Sequence, residues 1–337
     1  MLYSKLLTYP QLGAQCKAEI YKWRGIGYQF ASIYDKSNQF NEAIADITQA
    51  IELEPNNAGY YYSRGVSYHA AGRYDEAIAD TSEAIRLEPN NAGYYDSRGD
   101  SYHAAGRYDE AIADTSEAIR LEPNNAGYYY SRGVSYHAAG RYDEAIADTS
   151  EAIRLEPNNA GYYDSRGDSY HAAGRYDEAI ADTSEAIRLE PNNAGYYYSR
   201  GVSYHAAGRY DEAIADTSEA IRLEPNNAGY YYSRGVSYHA AGRYDEAIAD
   251  TSEAIRLEPN NAGYYYSRGV SYHAAGRYDE AIADTSEAIR LEPNNAGYYY
   301  SRGVSYHAAG RYDEAIADTS EAIRLEPNNT RYYQHSV

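Results

Sequence analysis

Only one Cys, one Met, one Trp and two Phe occur among the 337 residues. The single Cys16 excludes an internal disulfide framework and leaves the redox compartment open. No apolar run is long enough to span a bilayer, and the opening MLYSKLLTYPQLGAQ lacks the continuous apolar stretch of a secretory signal. A soluble, cytoplasmic chain with no membrane partner is the default expectation. Lysine is missing from the whole stretch between Ala58 and Asn329, and the formal net charge is −20 with an isoelectric point near 4.8. Nucleic acid and anionic lipid are poor partners for such a chain; basic ones suit it better. Catalytic signatures are absent too. There is no Gly-rich phosphate loop after a strand, no metal-protease helix and no nucleophile elbow, so no enzyme, cofactor or bound metal is expected.

What the chain has instead is tyrosine, 45 residues of it, and a period. From Ala58 to Asn329 the unit AGYYYSRGVSYHAAGRYDEAIADTSEAIRLEPNN recurs eight times at 34-residue spacing. A diverged copy, Arg24 to Asn57, precedes them with the cadence FNEAIADITQAIELEPNN. The organisation expected is therefore an N-terminal segment (1–23) with a capping helix over Gln11 to Lys22, a nine-repeat array (24–329) and a C-terminal stub (330–337). A unit this short cannot enclose a core of its own, so identical neighbours must stack into a solenoid without internal boundary.

Within a copy, two helices are expected, Gly59–Ala71 and Asp75–Glu88. The Asn before each first helix can cap it, as Asn91 does for the copy starting at Ala92. Gly72 supplies the left-handed turn between helices, and Pro89 stops the second helix. Ala77, Ile78, Ala84, Ile85 and Leu87 form the apolar stripe of that helix, with Asp75, Glu76, Asp80, Glu83 and Arg86 as its polar remainder. Gly65, costly inside a helix, marks a close approach of two backbones.

Tyr61, Gly65, Tyr68, Ala77, Ala84 and Pro89 fall on the spacing of the tetratricopeptide repeat, which this chain resembles in length of unit as well. The resemblance implies an all-α, right-handed superhelical solenoid of nine tandem helix-turn-helix repeats that binds extended peptides or helices in a concave groove. Two positions depart from the family: Arg64 stands where Leu is usual and Thr81 where a large aromatic is usual. The expectation is that the tyrosine cluster 60–62 refills the space left at Thr81, tyrosine having taken over aromatic packing.

Carried over residue by residue, the groove lining is Tyr62, Val66 and His69 with Ala70. Its copies are Tyr130, Val134 and His137; Tyr198, Val202 and His205; Tyr232 and His239; Tyr266 and His273; Tyr300 and His307. Two copies differ, and only here: Asp96 and Asp100 precede His103, and Asp164 and Asp168 precede His171. Residues four apart share a helix face, so each Asp pair forms a carboxylate cluster in the lining. Two readings stand: tuning of the groove, or drift in one copy carried along when a two-repeat block was duplicated. The expected ligand is a basic or aromatic peptide. Two readings stand for the eight histidines as well: with an unperturbed pKa of about 6.5 mild acid could add up to eight charges to the groove, or, as is expected here, they are exposed and ordinary.

Asp96, Asp100 and His103 lack the fourth ligand of a closed metal site. The SRGDS of residues 97–101 and 165–169 lies inside an expected helix rather than an adhesive loop, and the sequon at Asn328 matters only in a secreted chain. The family's carboxylate clamp for chaperone tails does not fit a lining of Tyr, Val, His and Asp. The stub repeats the start of a further copy, with Tyr332 and Tyr333 in register with Tyr60 and Tyr61. Ala315, Ile316, Ala322 and Ile323 are therefore expected to be partly uncovered. The alternative function is head-to-tail self-assembly into oligomers or fibres.

Overall fold

A computed structural model describes residues 13–30 and 36–333. The segment 1–12, with Gln11 of the expected capping helix, and the last four residues of the stub lie outside the described residues. Eighteen α-helices and one short 3₁₀ turn make up the ordered elements, with no strand among the described residues.

The helices fall into two compact units, 1–173 and 174–337. The division runs through the turn of the copy that starts at Ala160, so it follows no boundary of the repeat. The first unit contains α1 (Ala14–Phe30) and α2 (Lys36–Leu53), then α3 (Ala58–Ala70) and α4 (Tyr74–Leu87), α5 (Ala92–Ala104) and α6 (Tyr108–Leu121), α7 (Ala126–Ala138) and α8 (Tyr142–Leu155), and α9 (Ala160–Ala172). The second begins with α10 (Tyr176–Leu189). It continues with α11 (Ala194–Ala206) and α12 (Tyr210–Leu223), α13 (Ala228–Ala240) and α14 (Tyr244–Leu257), α15 (Ala262–Ala274) and α16 (Tyr278–Leu291), and α17 (Ala296–Ala308) and α18 (Tyr312–Leu325), before the turn Thr330–Tyr333. Within each unit every helix packs on the next in sequence.

The helix ends follow local chemistry. Asn91 accepts a hydrogen bond from the Gly93 N–H at 3.1 Å, closing an otherwise orphan donor of α5, and Asn227 does the same for α13. Gly72 has φ of +73°, and the N–H groups of Gly72 and Arg73 return to the carbonyls of His69 and Tyr68. The second helix opens with Asp75 and Glu76 and closes with Arg86, charges that suit its dipole.

The core is built from small residues and tyrosine. Ala58, Ala84, Ile85 and Tyr94 cluster in the first unit, with Tyr61, Tyr62, Leu87 and Tyr95 packed against them, and Ala228, Ala254, Ile255 and Tyr264 repeat the cluster in the second. Each buried tyrosine keeps its hydroxyl satisfied, Tyr94 donating to Glu88 Oε2 at 3.2 Å.

Two expectations about this interior are corrected. Asp80 is not part of a solvent face: it is 7% exposed and receives Nε and Nη2 of Arg64 at 2.6 and 2.8 Å. The third guanidinium nitrogen bonds the helix before, Arg64 to Thr48 Oγ1 at 3.0 Å and, one repeat later, Arg98 to Ser82 Oγ at 2.9 Å. The unusual Arg thus ties three helices together with a fork that Leu does not have. Nor does tyrosine refill a gap at Thr81. A Cβ placed on Gly65 would stand 3.2 Å from Thr81 Oγ1 and 3.2 Å from the Ala77 carbonyl, so the helices have closed on each other there. The buried Thr81 hydroxyl is satisfied by the Ala77 carbonyl.

Candidate peptide-binding lining

Positions 62, 66 and 69 are separated by four and three residues, so they share one face of α3, and the copies do the same on α5, α7, α9, α11, α13, α15 and α17. Tyr62 packs on Tyr94 of the following copy, with ring centroids 5.1 Å apart and planes 35° apart. Its position is therefore set by a buried neighbour rather than by its own repeat.

His69 is half-buried, with Nδ1 3.0 Å from Ser101 Oγ of the next copy and its ring 5.3 Å from Tyr74. Ser101 donates its own hydroxyl proton to the Ser97 carbonyl at 3.1 Å. Its oxygen is left to accept, so the proton of the His69 ring belongs on Nδ1 and the lone pair on Nε2. The same arrangement recurs at His103, His137, His205, His239 and His273. The exposed, ordinary histidines expected from the sequence are thus corrected: among the described histidines only His307 is exposed, and burial lowers the pKa of His137, His171, His205, His239 and His273.

The Asp pairs change the electrostatics without changing the helix. Asp96 is half-buried, and its Oδ1 has no hydrogen-bond partner among the described residues. Burial first, then the neighbouring Asp100, push its carboxyl up to about 7, against a hydrogen bond from Ser131 that pulls it down. Asp100 reaches water at its tip, yet its setting in the helix face still costs solvation and raises its carboxyl, offset by His69 and His103 on either side. Asp168 is raised by burial alone. The field of each pair reaches the preceding copy, where Tyr62 is raised by burial, Asp96 and Asp100, and Tyr130 by burial, Asp164 and Asp168.

In the second unit the lining encloses a concavity of 230 Å³. Tyr266, Val270 and His273 of α15 meet Tyr300 and Val304 of α17 around it, with Arg331 and Tyr332 at one side. Val270 and Val304 are the Val66 equivalents of their copies. Hollows of 510 and 520 Å³ lie elsewhere in this unit, between the Glu-Pro-Asn-Asn turns, and are shallow and without aromatic walls. Sequence reasoning missed the partners of the lining, Ser101 and Tyr94, because each lies in the following copy. Their signal was their own invariance at 34-residue spacing.

The SRGDS segments do not present a loop. Arg98 lies in α5 and is bound to Asp114 of α6 and Ser82 of α4, and Gly99 lies against the Ala111 carbonyl. No group of three or more His, Cys, Asp or Glu gathers as for a metal ion among the described residues, and no helix there is long and apolar enough to cross a membrane.

Antiparallel helix pairs repeating every 34 residues, with a lining contributed by the first helix of each pair, define an all-α solenoid of the scaffold type. The chain belongs to the tetratricopeptide repeat family: the TPR repeat model matches residues 99–140, 167–208, 203–242, 237–276 and 271–310, and two tetratricopeptide repeat models match 28–92, and 126–159 with 296–329. Among solved structures it is similar to the C-terminal part of a TPR repeat-containing protein from Cytophaga hutchinsonii, at 19% identity over 72% of this chain and 98% of that one, with a TM-score of 0.59. A tetratricopeptide repeat protein from Parabacteroides merdae gives 19% identity, 73% and 97% coverage and a TM-score of 0.58. The Cut9–Hcn1 hetero-tetramer of the APC/C gives 17%, 97% and 64%, with 0.54. At these identities the likeness concerns the fold. None of the curated proteins compared matches the chain.

Proposed function

We propose that this chain is a non-enzymatic interaction scaffold that binds an extended or helical basic peptide segment along the lining of Tyr62, Val66, His69, Asp96, Asp100, His103 and their copies. One observation carries the reading: the repeat commits its cations internally and leaves acceptors in the lining. Arg98 is held by Asp114, Arg107 by Glu110 and Arg120 by Glu117, and the same three pairs recur along the array. What the lining offers is carboxylates, the Nε2 lone pairs of histidine and tyrosine rings. All three favour a positively charged ligand.

The test is calorimetric titration of the full chain with a short Arg-Gly repeat peptide, compared with a variant carrying Asp96→Tyr, Asp100→Val, Asp164→Tyr and Asp168→Val. The variant should bind about fivefold more weakly or worse, with a shallower salt dependence. Equal affinity would place the ligand outside the lining.

A second reading, head-to-tail self-association, is favoured by one feature of α18. Ile316 is 61% exposed where its equivalent Ile282 is 7% exposed, and Tyr312 is exposed beside it. An apolar face of this kind matches the surface on which repeats stack. Sedimentation over a concentration series tests it, since a sedimentation coefficient independent of concentration removes the idea.

A further inference from the structure

Six tyrosine pairs join neighbouring copies with nearly one geometry. Tyr62 on Tyr94, Tyr198 on Tyr230 and Tyr300 on Tyr332 have centroids 5.1, 5.3 and 5.2 Å apart and interplanar angles of 35°, 38° and 39°. The last pair has one additional partner. The guanidinium carbon of Arg331 lies over the Tyr300 ring, 5.1 Å from its centroid. Arg331 stands at the second position of the repeat, which in every one of the eight preceding copies is glycine.

The backbone conformation at that position does not itself require glycine. The left-handed glycines are those of the inter-helix turn, such as Gly72, and none belongs to this class. A Cβ there would meet its own capping Asn Oδ1, at 3.4 Å for Gly93 and between 3.1 and 3.3 Å for the other copies, a tight contact to which the Asn side chain would have to yield. A side chain there nonetheless leaves the cap standing, because the Arg331 N–H still donates to Asn329 Oδ1 at 3.3 Å. Glycine avoids that crowding at some cost in helix propensity. Its effect is to leave open the space over the preceding ring that Arg331 occupies over Tyr300. Among the described residues no cation lies over Tyr62, Tyr130, Tyr198, Tyr232 or Tyr266.

We propose that the faces of these tyrosines form guanidinium subsites within each unit, Tyr62 and Tyr130 in the first and Tyr198, Tyr232 and Tyr266 in the second, each taking one Arg side chain of a bound peptide, with Arg331 filling the subsite at Tyr300 from within the chain. The inference rests on the groove-binding reading above and adds which side chain is read and where. A guanidinium is planar and weakly hydrated, so it stacks on a ring at smaller cost than an ammonium does. Val270 and Val304, which line the same concavity as Tyr266 and Tyr300, give the arginine stem an apolar bed. In the copy where Asp96 replaces the ring, the exposed carboxylate of Asp100, four residues on along the same helix face, becomes the cation acceptor. The lining thus accepts a cation in both kinds of copy.

The experiment is titration of the full chain with the Arg-Gly repeat peptide and with its Lys-Gly counterpart. Three variants are compared in the second unit: Tyr198→Phe/Tyr232→Phe/Tyr266→Phe, the same three sites as Leu, and Gly229→Arg/Gly263→Arg/Gly297→Arg, which reproduces the Arg331 arrangement over each ring. The Arg peptide should bind about threefold tighter than the Lys peptide. Phe should keep affinity within about twofold, while Leu and the internal arginines should each weaken it by about tenfold. The glycine variants leave every tyrosine in place, so they test the subsites even where the Leu variant folds poorly. Affinity unchanged by both Leu and Arg variants, with the Asp-pair variant still weakened, overturns the subsites and leaves groove binding intact. A wild-type chain that binds neither peptide overturns both.

Discussion

The copies that begin at Ala92 and Ala228 differ at only two positions, Asp96 against Tyr232 and Asp100 against Val236. Around those positions their frameworks coincide. Asn91 and Asn227 cap α5 and α13 with bonds of 3.1 and 3.0 Å. Arg98 grips Asp114 at 2.6 and 2.7 Å, and Arg234 grips Asp250 at 2.7 and 2.7 Å. Gly99 and Gly235 face the carbonyls of Ala111 and Ala247 across gaps that would put a Cβ at 3.4 and 3.3 Å. Changing an aromatic and a Val to two carboxylates has left the helix ends, the Arg–Asp fork and the close approach at glycine in place, while giving up the ring contact that Tyr232 makes with Tyr264. The reason is geometric. The Arg fork, the close-approach glycine and the cap stand at other positions of the helix than the two that change, so those contacts stay while the lining and its ring contact change.

The largest expected effect tests whether the two frameworks are as equivalent as they look. Asp114→Ala and Asp250→Ala each leave a half-buried guanidinium without its carboxylate, which should cost about 3–5 kcal/mol in urea unfolding. The two losses should agree within about 0.5 kcal/mol. A clear inequality would mean that the Asp pair in the lining reaches the framework after all.

The next effect isolates the lining itself. The Asp96 carboxyl titrates near 7 in the folded chain and near 3.9 when unfolded, so between those values the folded state holds the extra proton. Its contribution therefore makes stability fall as pH rises from about 4 to about 7, with no further change above. The histidines work in the opposite direction. With folded pKa values lowered by burial, His137, His205 and His239 cost stability as pH drops below about 6.5. Both terms are present in wild type, but Asp96→Tyr/Asp100→Val removes only the carboxylates. The melting temperature of that variant should pull ahead of wild type as pH rises from about 5 to about 7, then keep a constant lead. Each kcal/mol should move it by roughly 2–4 °C. A lead that does not change with pH would mean that the pair is solvated in both states.

The smallest effect concerns the caps. Asn91→Ala and Asn227→Ala each remove a side-chain acceptor from a first turn and should cost about 1 kcal/mol, equally in the two copies, by the same urea measurement.

Much of the repeat was legible in the sequence because its signals are local. The expected helices 59–71 and 75–88 are found at Ala58–Ala70 and Tyr74–Leu87, since a left-handed Gly and a Pro act on their immediate neighbours. The close approach at Gly65 was readable for a similar reason: an expensive residue inside a helix needs a justification. Asp80 was misread because it sits among Asp75, Glu76 and Glu83 in a helix whose charges all look solvated. The partner that buries it, Arg64, is sixteen residues away in sequence. Arg64 itself held the clue, since an Arg at an apolar position needs an acid within reach. Nothing local could show that His69 binds Ser101 or that Tyr62 rests on Tyr94. Both contacts span copies.

The amino-acid sequence by itself determined the period, the two helices of each unit, their caps and turns, and the sites where two copies carry extra acid, because each of these is encoded within a turn or two of chain. Only the tertiary structure decided which polar groups are interior, which nitrogen of each bonded histidine carries its proton, and which ring face stands beside an empty glycine position. Those outcomes depend on what the next copy brings into contact. A repeating sequence states every contact partner many times over, but only stacking brings partners from different copies together.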